Sequence, residues 1–403
     1  MSPSSVRCLC VCVIATCLFL VNPLHAADSR SVAESAFDEL IRQDFAALAK
    51  RFSPEMRAAA PEDRMAAQLG AAVKSLGPLR GARPQARSAR VQNNDVFVFP
   101  AEFQDASLNI QISINADGQV AGLFFQPPDP EPPKPGELLV VTGDIRLPAT
   151  LTLPEGSGPF PAVVLVHGSG PHDRDETVAA NAPFKDLAEG LARRGVATLR
   201  YVKRTRQYPK SPVVTVKEEV IDDAVSALAL LRQQAKIDAK RVCLLGHSLG
   251  GYLAPRIAQR DSAVAGVILL AGNVRPIEEL AREQITYLGA PPEALEQLKR
   301  AAPASYWDDL KAYDPAGAAQ KLAVPFLVLQ GERDYQVTMK DFELWRAALK
   351  GRRDVTLKSY PKLNHLFLEG EGKSLPAEYS TPGHIPAYVL DDIAAFIKSS
   401  TGK

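Results

Sequence analysis

Apolar and polar residues follow two different patterns along the chain, and the change comes near residue 130. In the first part, apolar residues recur at helical spacing over 32–50 and alternate strictly with polar residues over 108–114. These spacings are typical of an amphipathic helix and of a half-buried strand. The predicted elements are helices at 32–50 and 62–76 and strands at 96–99, 108–114 and 120–125. Together they predict a small α+β domain over residues 28–126.

Residues 127–136 are rich in proline, which favours an extended, semi-rigid segment and predicts a linker between two domains. From residue 137, strands alternate with amphipathic helices, and the apolar run at 162–166 is typical of a strand buried on both faces. The predicted strands are 138–142, 145–153, 162–166, 196–201, 241–246, 265–271, 325–330 and 354–360. The predicted helices are 184–194, 216–234, 249–260, 339–350 and 385–398. This alternation predicts an α/β domain over 137–400, with a mostly parallel sheet and helices on both faces.

An insertion of helical character separates two of the predicted strands, at about 273–323. Its aromatic side chains are Tyr287, Tyr306, Trp307 and Tyr313. Because it follows the carboxyl end of a strand, where α/β sheets bind ligands, we expect it to form a lid over the ligand crevice. The alternative is that its aromatic residues only pack its own helices.

The first 26 residues have the pattern of a cleavable signal peptide. Arg7 precedes a short apolar run at 8–21, and small residues follow at 26–27. The sequence therefore predicts an exported bacterial protein, periplasmic or secreted, without a membrane anchor after cleavage. An uncleaved anchor and lipoprotein processing at Cys17 are the alternatives. Four of the five cysteines lie in this segment, so the remaining Cys243 can form neither an internal disulfide nor a cysteine-based metal site.

The formal net charge is +1, which leaves no basic surplus for binding nucleic acid. The chain has no glycine-rich phosphate loop, and no pair of histidines has metal-ligand spacing. We therefore expect no cofactor, no metal and no nucleic-acid partner. The sequence does not decide between a monomer and a homo-oligomer.

The strongest chemical signal is Gly-His-Ser-Leu-Gly-Gly at 246–251, between a predicted strand and a predicted helix. A sharp strand-to-helix turn presents a serine hydroxyl clear of the backbone, and side chains at 246 and 250 would collide in it. This pattern predicts Ser248 as a nucleophile. The dipole of the following helix would also favour a negative charge that develops beside it.

A nucleophilic serine needs a base and an acid, which follow it along the chain in this type of fold. His365 lies in a loop after the strand at 354–360, whereas His384 begins the last helix. The sequence predicts His365 as the base, with His384 as the alternative. Asp334 follows the preceding strand and is predicted to be the acid, with Glu332 as the alternative.

A tetrahedral oxyanion needs backbone N–H donors. One is predicted to be that of Leu249, next to the nucleophile. The second is predicted in the glycine-containing loop after the strand at 162–166, from Ser169 or, as the alternative, from Gly170. The charged run at 172–176 follows this loop and is predicted to form internal ion pairs, with a solvated loop or a lid of the substrate pocket as the alternatives.

These motifs resemble those of bacterial α/β-hydrolase esterases related to dienelactone hydrolases and cinnamoyl esterases. The resemblance covers 137–400 and rests on His-Gly-Ser-Gly at 167–170, the serine motif, Gly-Glu-Arg-Asp at 331–334 and Asn-His at 364–365. Residues 30–126 are similar to an extra N-terminal domain that one subgroup carries. The resemblance implies a cofactor-free serine esterase that forms an acyl-enzyme, usually with short acyl esters. Ser248 departs from the cysteine of dienelactone hydrolases proper, which favours ester over lactone chemistry.

Two other functions fit the same sequence. A serine peptidase of the prolyl-oligopeptidase or aminopeptidase type would use the same three residues, although a propeller needs far more than the residues before 127. A non-catalytic protein could instead bind a ligand on a hydrolase-like scaffold. The candidate triad favours the enzyme, and a small-molecule ester is the expected substrate.

Overall fold

The computed structural model describes residues 23–59, parts of 66–76, and 77–104, 107–126, 129, 132–209, 215–291, 293–300 and 302–400. Residues 1–22 of the predicted signal peptide and most of the predicted helix at 62–76 lie outside the described residues. The chain divides into two compact units, Met1–Asp129 and Pro130–Lys403. The division falls within the proline-rich segment at 127–136.

The N-terminal unit combines short helices with an antiparallel sheet. Its helices are α1 (Pro23–Ile41), α2 (Phe45–Lys50) and α3 (Pro54–Ala59), and its strands are β1 (Arg87–Val91), β2 (Asn94–Glu102), β3 (Ser107–Ile114) and β4 (Val120–Gln126), in the order β1-β2-β3-β4. The prediction of one helix over 32–50 is wrong. Gln43 has a φ of +59°, and the Asp44 carboxylate accepts the N–H of Ala47, so one helix ends and another begins there.

Strand β1 has no counterpart among the predicted strands. Its five residues are all exposed, so it lacks the apolar alternation that predicted its neighbours. It lies at the edge of the sheet and pairs only with β2 among the described strands. Side chains of α1 and of the inner strands form the core of the unit, in which Phe37 stacks on Phe99.

The second unit contains the predicted α/β architecture. Its strands are β5 (Leu138–Thr142), β6 (Ile145–Thr152), β7 (Phe160–Val166), β8 (Ala197–Tyr201), β9 (Ile237–His247), β10 (Val267–Leu270), β11 (Phe326–Gly331) and β12 (Val355–Tyr360). They form a sheet in the order β12-β11-β10-β9-β7-β8-β6-β5. Strands β7 to β12 are parallel, while β5 and β6 are antiparallel additions at one edge.

Helices cover both faces of this sheet. They are α4 (Pro183–Ala192), α5 (Arg204–Gln207), α6 (Asp222–Arg232), α7 (Leu249–Arg260), α8 (Ile277–Leu288), α9 (Glu293–Arg300), α10 (Ala304–Ala312), α11 (Pro315–Gln320), α12 (Met339–Ala348) and α13 (Ala387–Ser399). Successive residues of the central strand β9 enter opposite cores: Leu244 packs with α6, α7 and α12, whereas Leu245 packs with α4 and α13. Burial on both faces requires apolar residues, and the buried stretch of this strand at 242–245 is apolar, whereas its exposed first half carries charged residues. No helix in the described ranges is both long and apolar enough to cross a membrane.

The insertion at 273–323 consists of α8 to α11 in its described part. Its aromatic side chains do not pack only on one another. The hydroxyl of Tyr306 donates to Glu219, and the ring of Tyr313 makes an edge contact with Tyr252 of α7. The insertion is therefore attached to the sheet domain through specific polar and aromatic contacts.

Candidate active site

The turn between β9 and α7 holds Ser248 in a strained conformation. Its φ is +52° and its ψ is −117°, a region that residues other than glycine rarely adopt. A Cβ on Gly246 would collide with the carbonyl of Gly250, and a Cβ on Gly250 would collide with the carbonyl of Val166. Glycine is therefore required at both positions, and the tight turn presents Ser248 half-exposed at the end of the strand.

Asp334 and His365 form a buried pair at the same end of the sheet. The Nδ1 atom of His365 lies 2.7 Å from Oδ2 of Asp334, and only 5% and 0% of the two side chains are exposed. The carboxylate also accepts the backbone N–H groups of Gln336 and Val337 and the side-chain amide of Gln330. These donors fix the carboxylate, so Nδ1 of His365 carries its proton toward Asp334 and Nε2 is left as an acceptor.

The loop that carries His365 is shaped by its neighbour Asn364. The side-chain oxygen of Asn364 accepts the N–H groups of Leu366 and Leu368, which closes a tight turn around the histidine. A Cβ on Gly331, at the end of β11, would collide with the carbonyls of Leu363 and Asn364. Glycine at 331 therefore lets the strand that leads to Asp334 approach the histidine loop.

Ser248 is brought to this pair through its chain neighbour, His247. The ring of His247 lies 4.7 Å from that of His365 between centroids, and its Nε2 is 3.0 Å from the His365 carbonyl oxygen. The Ser248 hydroxyl has no hydrogen bond to His365 or to any other described residue. Ser248 and His365 thus lie in one cluster without a direct hydrogen bond between them. Hydrogen bonds used in catalysis are often long or absent without substrate and form only when substrate is bound.

A second buried histidine–carboxylate pair lies beside the first. Nδ1 of His247 is 3.0 Å from Oε2 of Glu176, and both side chains are almost fully buried. Burial opposes the charge of Glu176, but the adjacent His247 lowers its pKa to about 2. Burial likewise opposes the charge of His247, yet Glu176 raises the pKa of His247 above its ordinary value. The Nδ1–Oε2 contact is an ion pair without hydrogen-bond geometry, and the carboxylate beside Nδ1 together with the carbonyl at Nε2 favours a doubly protonated imidazolium.

The loop after β7 approaches the serine closely. A Cβ on Gly168 would lie 3.2 Å from the Cβ of Ser248. The N–H of Gly168 donates to Glu176, and its carbonyl accepts a hydrogen bond of 2.8 Å from Lys203. Within the described ranges, the N–H groups of Ser169 and Leu249 have no acceptor, so both are available to a ligand.

The protein named Esterase EstD from Thermotoga maritima is 42% identical to this chain over 331 residues, which cover 75% of this chain and 79% of that protein. The α/β topology and the serine turn agree with that relationship. The chain belongs to the α/β-hydrolase esterase family.

Other similar proteins match less of the molecule. The model of the prolyl oligopeptidase family matches residues 208–402 of this α/β-hydrolase. The acylamino-acid-releasing enzyme of Rattus norvegicus is 25% identical over 252 residues, 60% of this chain and 34% of that enzyme. Among solved structures, the Pyrococcus furiosus esterase PF2001 covers 66% of this chain and 91% of its own at 16% identity, with a TM-score of 0.49.

The alternative acid and base of this α/β-hydrolase, Glu332 and His384, have partners outside the cluster. The carboxylate of Glu332 accepts the hydroxyl of Ser359, and the exposed His384 pairs with Asp186 at 3.0 Å. The contacts of Lys203 with Gly168 and of Gln330 with Asp334 were not predicted from the sequence, because only the fold brings these partners together. Among the described residues, no cluster of histidine, cysteine, aspartate and glutamate could hold a metal ion.

Proposed function

We propose that this α/β-hydrolase is a carboxylic-ester hydrolase in which Ser248, His365 and Asp334 form the catalytic triad. Nε2 of His365 takes the hydroxyl proton while Ser248 Oγ attacks the ester carbonyl. The N–H groups of Leu249 and Ser169 stabilise the oxyanion of the tetrahedral intermediate. The C–O bond to the alcohol then breaks, and His365 gives its proton to the departing oxygen, which leaves an acyl-enzyme on Ser248.

Deacylation repeats the same steps with water. His365 removes a proton from water as the oxygen attacks the acyl carbonyl, and the second oxyanion occupies the same backbone donors. Collapse of this intermediate breaks the bond to Ser248 and returns the proton to its oxygen. Throughout the cycle Asp334 holds the imidazole in the tautomer that leaves Nε2 free to accept. None of these steps requires a cofactor.

The observation that carries this proposal is the buried His365–Asp334 pair beside a serine at φ +52°. A strained serine conformation is kept only where the surrounding structure enforces it, and such strain is concentrated at functional sites. The carboxylate has further donors that fix its orientation, as a base-orienting acid requires.

The triad can be tested with the hydrolysis of p-nitrophenyl acetate. We expect Ser248→Ala to lower kcat by about 10⁴- to 10⁶-fold without altering the circular dichroism spectrum. The wild type should be labelled by a fluorophosphonate probe, with the adduct mapped to Ser248 by mass spectrometry. Unchanged turnover in the purified variant, or labelling at another residue, would overturn the assignment.

We propose small esters with short acyl groups as the substrate class, as the resemblance to cinnamoyl-esterase and dienelactone-hydrolase relatives implies. A panel of p-nitrophenyl esters from acetate to palmitate tests it. The expected result is a kcat/KM that is largest for two to four carbons, roughly, and falls for longer chains. A maximum at long chains would place the substrate among lipids instead.

The second candidate function is amide hydrolysis by the same triad. The match to the prolyl oligopeptidase family over 208–402 favours it, since acyl transfer from serine serves both reactions. Comparing kcat/KM for p-nitrophenyl acetate with that for aminoacyl p-nitroanilides separates the two functions. A larger value for an anilide would make the protein a peptidase.

We propose that the protein is exported and that its N-terminal segment is removed as a signal peptide. The positive Arg7, the apolar run at 8–21 and the small residues at 26–27 support this proposal. Fractionation of bacterial cells that express the full chain, followed by N-terminal sequencing, tests it. A cytoplasmic protein that retains Arg7 would overturn it.

A further inference from the structure

Lys203 has a buried side chain beside the proposed oxyanion hole. Only 2% of the residue is exposed, and its Nζ donates to the carbonyl of Gly168 at 2.8 Å. A buried ammonium group is costly unless it is paired, and the partner here is Glu219, whose Oε1 is 2.8 Å from Nζ. The Lys203 ammonium thus contacts both a buried carboxylate and a backbone carbonyl.

That carbonyl belongs to the same peptide unit as the N–H of Ser169. A trans peptide is planar, so its C=O and N–H point in opposite directions. A donor that fixes the Gly168 carbonyl therefore also fixes the direction of the Ser169 N–H. A positive charge on the carbonyl oxygen further polarises the peptide, and hydrogen bonds in such chains strengthen one another by about 10–30%.

We propose that Lys203 is a positioning residue that aims and polarises the Ser169 N–H as an oxyanion donor, an inference that rests on the proposed esterase function. Lys203 does not touch the substrate in this role. It acts through the Gly168–Ser169 peptide. The Ser169 N–H then stabilises the oxyanion, where negative charge develops during the reaction.

The insertion supports Lys203 from the other side. Glu219 lies in a π-helical turn, Lys217–Ile221, and its Oε2 accepts the hydroxyl of Tyr306 in α10. Burial opposes the ionisation of Glu219, but Lys203 and Tyr306 lower its pKa below the ordinary value. Turns of this kind recur at functional sites. The contacts run from the insertion through Glu219 and Lys203 to the peptide at 168–169.

The N–H of Gly168 is held by a residue other than Lys203. Its N–H donates to Glu176, which is paired with His247. Glu176 fixes the peptide before Gly168, whereas Lys203 fixes the peptide after it, and only the second contains the Ser169 N–H. Loss of Lys203 should therefore change the oxyanion hole while this second attachment keeps the loop in place.

The test compares Lys203→Met with Arg204→Met. Arg204, the next residue in the chain, forms a largely buried ion pair with Asp223 at 2.6 Å, and among the described residues it makes no contact with Gly168. With p-nitrophenyl acetate, we expect Lys203→Met to lower kcat by about 10- to 100-fold, less than the 10²–10³ for loss of a whole oxyanion donor. KM should stay within about 3-fold, because the interaction is stronger in the transition state than in the ground state.

A trifluoromethyl ketone inhibitor gives an independent measurement, because its adduct with serine is a tetrahedral oxyanion. Its inhibition constant should rise in Lys203→Met by about the same factor as kcat falls. Arg204→Met should change kcat and the inhibition constant by less than about 3-fold, since its pair lies outside the oxyanion loop. Equal effects of the two variants on kcat and on the inhibition constant would show that Lys203 has only a structural role.

Two further variants keep the test decisive if Lys203→Met folds poorly. Lys203→Met with Glu219→Gln removes both charges, so neither is left buried without its partner. Tyr306→Phe removes only the hydrogen bond from Tyr306 to Glu219. It should lower kcat by about 2- to 5-fold, as expected for a single hydrogen bond that acts indirectly. Tyr287→Phe is its control, because Tyr287 in α8 also donates one hydrogen bond, at 2.9 Å to the Ser374 carbonyl, outside this set of contacts.

The outcomes separate this inference from the proposed function. If the wild type hydrolyses the ester and Ser248→Ala does not, the esterase function stands whatever Lys203 does. A folded Lys203 variant with wild-type kcat and inhibitor affinity would then overturn the positioning role alone. Full activity of Ser248→Ala would overturn both.

Discussion

Two histidine–carboxylate pairs lie side by side in this enzyme, and they differ in the use of the second ring nitrogen. In both pairs Nδ1 faces a carboxylate, at 2.7 Å for His365–Asp334 and 3.0 Å for His247–Glu176. Nε2 of His247 is occupied by the His365 carbonyl. Nε2 of His365 has no partner within the described ranges.

The comparison shows that a buried charged pair does not by itself identify a catalytic base. An imidazolium held between a carboxylate and a carbonyl has no free acceptor nitrogen, so it can fix neighbouring loops but cannot take up a proton from a nucleophile. An imidazole with one free acceptor nitrogen can accept a proton. The first pair therefore serves the proposed proton transfer, and the second connects the loops of Gly168 and His365.

The largest effect should come from the acid of the first pair. Asp334→Asn keeps the size of the side chain but can donate to Nδ1 of His365, which would stabilise the wrong tautomer. We expect kcat for p-nitrophenyl acetate to fall by about 10⁴-fold. Thermal unfolding and the crystal structure of the variant should stay close to the wild type. A loss of kcat of less than about 10-fold would show that the His365–Asp334 pair does not serve proton transfer.

The second pair should affect stability more than turnover. Glu176→Gln leaves the His247 imidazolium buried without its counter-charge, and breaking such a pair costs about 3–5 kcal/mol of the free energy of unfolding. The expected loss of kcat is smaller, about 10-fold, because Gln can still accept the Gly168 N–H. Urea unfolding and steady-state kinetics measure both. Glu176→Gln with His247→Gln should be more stable than Glu176→Gln alone.

The pH dependence of stability should also distinguish the second pair. The pKa of Glu176 is lowered from an ordinary 4.5 to about 2, so its contribution is present above 4.5 and is lost as the pH falls toward 2. The pKa of His247 is raised from 6.5, so its contribution is present below 6.5 and is lost as the pH rises through the higher folded value.

The stabilisation of the wild type over the Glu176→Gln, His247→Gln double variant should therefore peak between pH 4.5 and 6.5. Urea titrations of both proteins across pH 3–9 measure this difference. A difference that does not vary with pH would show that the pair is uncharged in the folded protein.

The smallest effect should come from a third pair, His384 with Asp186. The side chain of His384 is 85% exposed, and solvent screens its interaction with the carboxylate. We expect His384→Ala to change kcat by less than 2-fold and the free energy of unfolding by less than about 0.5 kcal/mol. A large loss of turnover would instead support His384 as the catalytic base.

Much of the site could be predicted because its signals are local in the chain. The glycines at 246 and 250 mark a turn that only they can form, and the order of Ser248, Asp334 and His365 follows the order of strands in the fold. Apolar runs likewise predicted the parallel strands that precede Ser248 and Asp334, since a stretch buried on both faces has few other sequences.

The remaining contacts could not be predicted because they join distant positions. A lysine after a strand usually lies at the surface, and nothing near Lys203 indicates its burial. Its partners are Gly168 and Glu219, which other elements carry to it. The His247–Glu176 pair is similar: the charged run at 172–176 suggested an ion pair, but the partner could be identified only from the fold.

The edge strand β1 has a consequence for how the protein behaves at high concentration. A sheet margin is a ready template on which another molecule can add a strand, and such addition leads to aggregation. The margin here carries Arg87 and Arg90, which are paired with Asp129 and Asp95, so an added strand would have to bury these charged groups. The polar sequence that made β1 hard to find thus helps to keep the sheet from growing beyond one chain.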